Sequence, residues 1–89
     1  MSQFDEIRAT VRAFILKQFP VAQRTSPGDT DSLVESGIID SMGVLELVTF
    51  IEADFELVLS DDDVVSENFD SIATISSFIE ERLTIVSQG

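Results

Sequence analysis

The chain contains no cysteine, no histidine, no tryptophan and no tyrosine. Its only lysine is Lys17. Each absence removes a chemistry. Without cysteine, neither disulfides nor thiolate metal sites can staple the fold. Without histidine, His-based triads and His-ligated metals are excluded. A serine nucleophile would have only carboxylates available as a base, so chemistry at a serine of this chain falls to a different protein. Bases are scarce too: 17 acids against five Lys and Arg leave a net charge of −12. Clustered cations, which phosphate contacts require, are missing, and no nucleic-acid partner is expected. No uncharged apolar run approaches the length needed to span a bilayer. The start, MSQFDEIRAT, lacks the basic residues and apolar run of a signal peptide, so a cytoplasmic protein is expected.

What is present is a modest globular composition. Eighty-nine residues, 44% of them hydrophobic, suit one domain over 1–89. A domain of this size buries only about 60–65% of the surface its unfolded chain exposes. The acidic excess serves solubility, or a surface steered toward basic partners.

Apolar residues at Phe4, Ile7, Val11, Phe14 and Ile15 follow the spacing of one helix face and predict a helix to about Gln18. Pro20 ends it, because the residue before a proline disfavours helical angles. Residues 19–40 show no sustained period, carry the turn cluster Thr25-Ser26-Pro27-Gly28-Asp29, and read as a long loop anchored by short apolar residues. A second helix is expected from Ser41 to about Phe55, with Val44, Leu47, Val48, Ile51 and Phe55 as its buried stripe. Ser60 followed by Asp61-Asp62-Asp63 reads as an N-cap and acidic first turn of a short third helix. A last helix starts near Asp70 or Ser71, with Ile72, Ile75, Ile79 and Leu83 inward, and Val86–Gly89 frays. The fold expected is all-α: a four-helix bundle of three long helices and one short, with a long first loop.

An Asp-Ser pair occurs twice in residues 31–42, DSLVESGIIDSM. Ser32 is followed five residues later by Gly37 and reads as a turn serine. Ser41 opens a helix, with Asp40 as its N-cap. A helix N-terminus has unpaired N–H groups and a partial positive charge, so it favours a phosphate carried on a serine there. Plain capping is the alternative reading of the pair.

The run Leu33-Val34-Glu35-Ser36-Gly37-Ile38-Ile39-Asp40-Ser41-Met42-Gly43 closely resembles the attachment motif of acyl and peptidyl carrier proteins. The resemblance continues through Glu46-Leu47-Val48, Ile51-Glu52-Ala53-Asp54-Phe55 and Asn68-Phe69-Asp70-Ser71-Ile72, and covers roughly residues 4–85. It implies that Ser41 receives 4′-phosphopantetheine from coenzyme A, with Asp40 beside it assisting the transferase and its Mg²⁺. It also implies that Met42, Leu45, Glu46, Thr49 and Glu52 form the face offered to partner enzymes. For Met42 and Leu45 the alternative is ordinary partial burial, and for Glu46 and Glu52 a solvated face.

Two spellings depart from fatty-acid carriers. An extra residue separates Gly37 from Asp40-Ser41, and Gly43 stands where an acid is common. Gly-Ile-Ile-Asp-Ser-Met-Gly looks more like stand-alone aminoacyl and peptidyl carriers.

The implied function is a monomeric carrier, without catalytic groups or metal of its own, that holds an amino or other carboxylic acid as a thioester. The implied partners are a phosphopantetheinyl transferase, an adenylating enzyme and tailoring or condensing enzymes, as in nonribosomal peptide or polyketide biosynthesis. Within the family, a D-alanyl carrier for cell-envelope modification and a fatty-acid carrier are the alternatives. Outside it stands an acidic helical interaction module. A calcium loop does not fit: starting at Asp29 or Asp61 puts apolar residues or serine where a ligand and a glycine are required.

Overall fold

The computed structural model describes residues 3–65 and 67–88. Helix α1 spans Gln3–Gln18, α2 Pro20–Thr25, α3 Ser41–Phe55 and α4 Ile72–Gln88, with no strand among the described residues. The all-α bundle of three long helices and one short is the fold that the periodicities predict. The place of the short helix is different.

Pro20 does stop α1, since Phe19 before it is extended at φ −116° and ψ 106°. The same proline then opens α2 as a first-turn residue, where its missing N–H costs nothing and its fixed φ suits the helix. Six residues are too few to show a period, which is why this segment reads as loop in the sequence. Ser26, left-handed at φ 46°, closes α2 and bonds its N–H to the Ala22 carbonyl at 2.9 Å.

The expected short helix at Asp61–Val65 is instead a turn over 61–63. Ser60 does not cap forward. Its N–H and hydroxyl both donate to Asp63 Oδ2, at 2.9 and 3.1 Å, while Asp63 Oδ1 takes the Arg82 guanidinium. The Asp63 carbonyl accepts from Asn68 Nδ2 at 2.9 Å, and the chain leaves the helical path. Helix α4 starts with a reciprocal cap, in which Ser71 Oγ accepts the Thr74 N–H at 3.1 Å and Thr74 Oγ1 accepts the Ser71 N–H at 2.9 Å. It runs through Gln88, past the fraying expected from Val86; Gly89 lies outside the described residues.

Helix α1 packs on α4 and α2, and α3 packs on α4. Val11 and Ile15 of α1, Leu47 and Ile51 of α3, and Ile72, Ile75 and Ile79 of α4 are fully buried. The predicted stripes are narrower in fact. Phe4 and Phe14 of α1, Val44, Val48 and Phe55 of α3, and Leu83 of α4 are only half-buried. Phe14 stacks on Phe50 with centroids 4.0 Å apart, a contact worth about 0.5–1.5 kcal/mol beyond the area buried.

The loop over residues 26–40 is tied down at both flanks. Arg12 donates to the Pro27 carbonyl at 2.8 Å, and Arg8 and Arg12 together hold the Asp29 carboxylate. The Asp29 carbonyl accepts the Ala73 N–H at 2.8 Å, so one residue joins the loop to α1 and α4. The radius of gyration, 12.3 Å, is that of a well-packed chain of this length. Among the described residues no helix is long and apolar enough to cross a membrane.

Candidate functional site

The approach to Ser41 is built from Leu33. Fully buried, Leu33 donates its N–H to the Asp70 carbonyl at 2.7 Å. Its own carbonyl accepts the N–H groups of Ile38 and Ile39, at 3.0 and 3.1 Å. This tight loop passes through Gly37 at φ +79°, an angle that a residue with a Cβ rarely adopts. Ile38 and Ile39 then enter the core.

Asp40 begins that helix. Its backbone is extended, its Oδ1 accepts the Gly43 N–H at 2.8 Å, and its carbonyl accepts the Val44 N–H at 2.9 Å. Ser41 is the first residue of the fifteen-residue α3, and Asp40, Ser41 and Met42 are all exposed. The serine therefore stands where helix N–H groups have no intrahelical acceptor and the helix dipole is positive.

Ser32 is placed quite differently. Its hydroxyl donates to Asp70 Oδ1 at 2.6 Å and accepts the Glu35 N–H at 3.1 Å. It fastens the loop to the start of α4 and caps the turn over 33–37. The two Asp-Ser pairs thus have separate work.

A groove of about 730 Å³ opens beside Ser41. Val44 and Leu45 of α3 line it together with a wall of Val64, Val65 and Phe69 from the chain between α3 and α4. Val34, Gly37, Ile39 and Asp40 complete the lining. The lining is mostly apolar, so a flexible chain attached at Ser41 could lie along it with its aliphatic parts covered.

The expected recognition residues divide. Met42 and Leu45 are 73% and 64% exposed, far more than ordinary partial burial allows. Glu46 and Thr49 are exposed as well, with the Thr49 hydroxyl bonded to the Leu45 carbonyl at 3.0 Å. Leu45 alone of this set lines the groove with Ser41. Glu52 is half-buried and accepts the Leu59 N–H at 2.9 Å, which holds the chain leaving α3.

Sequence reasoning missed two parts of the site. The wall of Val64, Val65 and Phe69 is one: Val64 and Val65 come from the segment read as a short helix and Phe69 from the stretch before α4, and nothing local brings them to the groove beside Ser41. Gly43 is the second. It is buried, and a Cβ there would lie 3.0 Å from Phe19 Cε1 and 3.2 Å from Ile39 Cγ2. Any side chain at this position would have to displace Phe19 or Ile39.

Two carboxyls are held below the ordinary carboxylate range, and both lie outside the groove. Asp29 is lowered chiefly by the Arg12 hydrogen bond, against an upward push from burial, with the charges of Arg12 and Arg8 and the Arg8 hydrogen bond adding to the lowering. Asp63 is lowered first by the Ser60 N–H, with the Ser60 hydroxyl and Arg82 adding to it against burial. These groups anchor loops. Among the described residues no three acids gather closely enough to hold a metal ion.

The chain matches no family model, and comparison with curated proteins also returns no match.

Proposed function

We propose that this chain is a stand-alone carrier of the acyl or peptidyl type, with Ser41 as the attachment point for a 4′-phosphopantetheine arm. The observation that carries the reading is the placement of Ser41: an exposed hydroxyl, first in a capped fifteen-residue helix, at the mouth of an apolar groove. These residues fit the arm. The helix terminus favours the phosphate, and Val44, Leu45, Val64 and Val65 suit its aliphatic chain.

In the modification step Ser41 Oγ bonds to the phosphorus that bears the pantetheine. The bond from that phosphorus to 3′,5′-ADP breaks, and the serine proton passes to a base of the transferase. Once bound, the arm supplies a thiol on which a carboxylic acid is held as a thioester. Everything else the chain contributes is placement. Asp40 holds the first turn of α3, the groove limits where the arm can lie, and tethering raises the effective concentration of cargo near each enzyme. Met42, Leu45, Glu46 and Thr49 form the outer face that an adenylating enzyme and later tailoring or condensing enzymes touch. With a net charge of −12, docking is fast and salt-sensitive. The cargo class we favour is an amino acid destined for a nonribosomal peptide or polyketide type of product.

The test is intact-mass spectrometry after incubation with coenzyme A, Mg²⁺ and a broad-specificity phosphopantetheinyl transferase. The expected result is one added phosphopantetheinyl group, absent in Ser41→Ala and retained in Ser32→Ala. No added mass on the wild-type chain, or a mass that persists in Ser41→Ala, overturns the proposal. An acidic interaction module would leave the chain unmodified and its partner binding indifferent to Ser41→Ala.

A further inference from the structure

Arg82 lies in the second half of α4, more than a turn before its end, and lines no part of the Ser41 groove, yet two separate contacts lead from it to the groove wall of Val64, Val65 and Phe69. The first is ionic. Its guanidinium pairs with Asp63, whose side chain is only 8% exposed and whose other oxygen gathers the N–H and hydroxyl of Ser60. Asp63 directly precedes Val64 and Val65 in the chain, and its carbonyl takes the Asn68 amide just before Phe69. The second contact is aromatic. Arg82 Cζ sits 5.3 Å from the centroid of the Phe78 ring, and Phe78 lies against Phe69 with centroids 5.9 Å apart. Phe69 is 1% exposed and forms part of the same wall.

The wall needs such support. The chain between α3 and α4 has no helix among its described residues, and its backbone bonds there are isolated turn contacts, such as Val64 N–H to the Asp61 carbonyl at 3.2 Å and Asn68 N–H to the Val65 carbonyl at 3.0 Å. Val64 is half-buried and Val65 is 41% exposed, so packing alone holds them weakly. The α3 side holds this segment through Glu52, at Leu59, well before the wall begins. From α4, Arg82 adds a hold through Asp63 and through Phe78.

We infer that Arg82 is a positioning residue for the groove beside Ser41: through Asp63 and through the Phe78–Phe69 contact it holds the wall of Val64, Val65 and Phe69 in place. The contacts define its role on the bare chain. Its consequence for a group carried on Ser41 rests on the proposed carrier function.

Amide hydrogen exchange on the full chain tests this, comparing wild type with Arg82→Ala, Arg82→Lys and Val11→Ala. Val11→Ala loosens the core on α1 and serves as the control for general destabilisation. Arg82→Ala is expected to speed exchange at the bonded amides of the wall segment, Asp63, Val64 and Asn68, by about five- to thirtyfold, the combined effect of losing a part-buried ion pair and a cation over a ring. Leu47 and Ile51 of α3 should change far less, and Arg82→Lys should recover much of the protection. Val11→Ala should raise exchange throughout.

A second readout uses coenzyme A labelled with an environment-sensitive fluorophore, transferred to Ser41. Arg82→Ala should shift its emission to the red relative to wild type. Equal acceleration at the wall and at Leu47 and Ile51, or an unchanged wall, overturns the inference. If the wild-type chain accepts no label, the carrier reading fails, and the exchange data still decide the role of Arg82.

Discussion

Asp40 Oδ1 accepts the Gly43 N–H at 2.8 Å, and this one bond closes the first turn of the helix that begins at Ser41. Removing it with Asp40→Ala should cost about 0.5–2 kcal/mol, whereas Asp40→Asn, an equally good cap, should leave stability nearly unchanged. Urea melts of the three proteins check this. The pair also separates capping from chemistry. If Asp40→Asn keeps its stability but slows the transfer of phosphopantetheine to Ser41, the charge of the carboxylate acts in the transfer itself.

Gly43 should resist enlargement. Alanine improves helix propensity by about 1 kcal/mol, but its Cβ would press on Phe19 and Ile39, both buried and unable to yield freely. Overpacking of this kind costs about 1–3 kcal/mol and should win. Gly43→Ala is therefore expected to lower Tm by several degrees, with Gly43→Asp worse. Pairing Gly43→Ala with Phe19→Leu should recover part of the loss in thermal scans. An equal loss in the double variant would locate the strain elsewhere.

Ser32 offers the converse case. Its hydroxyl bonds to the Asp70 carboxylate at 2.6 Å, a hydrogen bond to a charged group, so Ser32→Ala should cost about 1.5–3 kcal/mol. Modification at Ser41 should nonetheless proceed to completion under folding conditions. Ser41→Ala should behave oppositely, with stability nearly intact because the residue is exposed, and modification abolished. Melts and intact masses of the two variants, measured side by side, make the distinction.

Acid should weaken the loop anchors. The folded-state pKa values of Asp29 and Asp63 lie below the ordinary 3.8, so each carboxylate stabilises the fold fully above that value. The contribution is lost as pH falls through the lowered values, because the folded form must then accept protons that the unfolded form already holds. With a net charge of −12 at neutral pH, general relief of repulsion acts in the other direction as acids protonate. The informative quantity is the stability difference between wild type and Asp29→Asn. It should be positive at neutral pH and shrink steadily below pH 3.8. A difference independent of pH would mean that the Arg8 and Arg12 pairing contributes nothing.

Ile7, Val11 and Ile15 repeat every four residues, and Leu47 and Ile51 do the same, so α1 and α3 are readable from the chain alone. Hydrophobic stripes are local records of burial. The start of α3 is equally local, since Asp40 caps through its own backbone and Gly43, three residues away. The short helices were misplaced for a definite reason. Pro20 both ends one helix and starts another, and Asp61-Asp62-Asp63 looks like a first turn but spends its third carboxylate on Ser60 and Arg82. Glu52 has the spacing of an outward-facing acid, yet a backbone N–H seven residues later draws it in.

The order of residues was enough to make Ser41 the first residue of a helix, to deny the chain histidine and thiol chemistry, and to give it a strongly acidic surface. These depend on composition and on bonds spanning a few residues. Tertiary packing decided the rest. It gathered Val64, Val65 and Phe69 with Val44 and Leu45 around one groove, pressed Gly43 against Phe19, and gave Ser32 to Asp70 and Asp63 to Arg82. Those partners lie 19 to 38 residues apart in the last two cases. A contact over such a distance forms only when the core brings its ends together, and no local period records it.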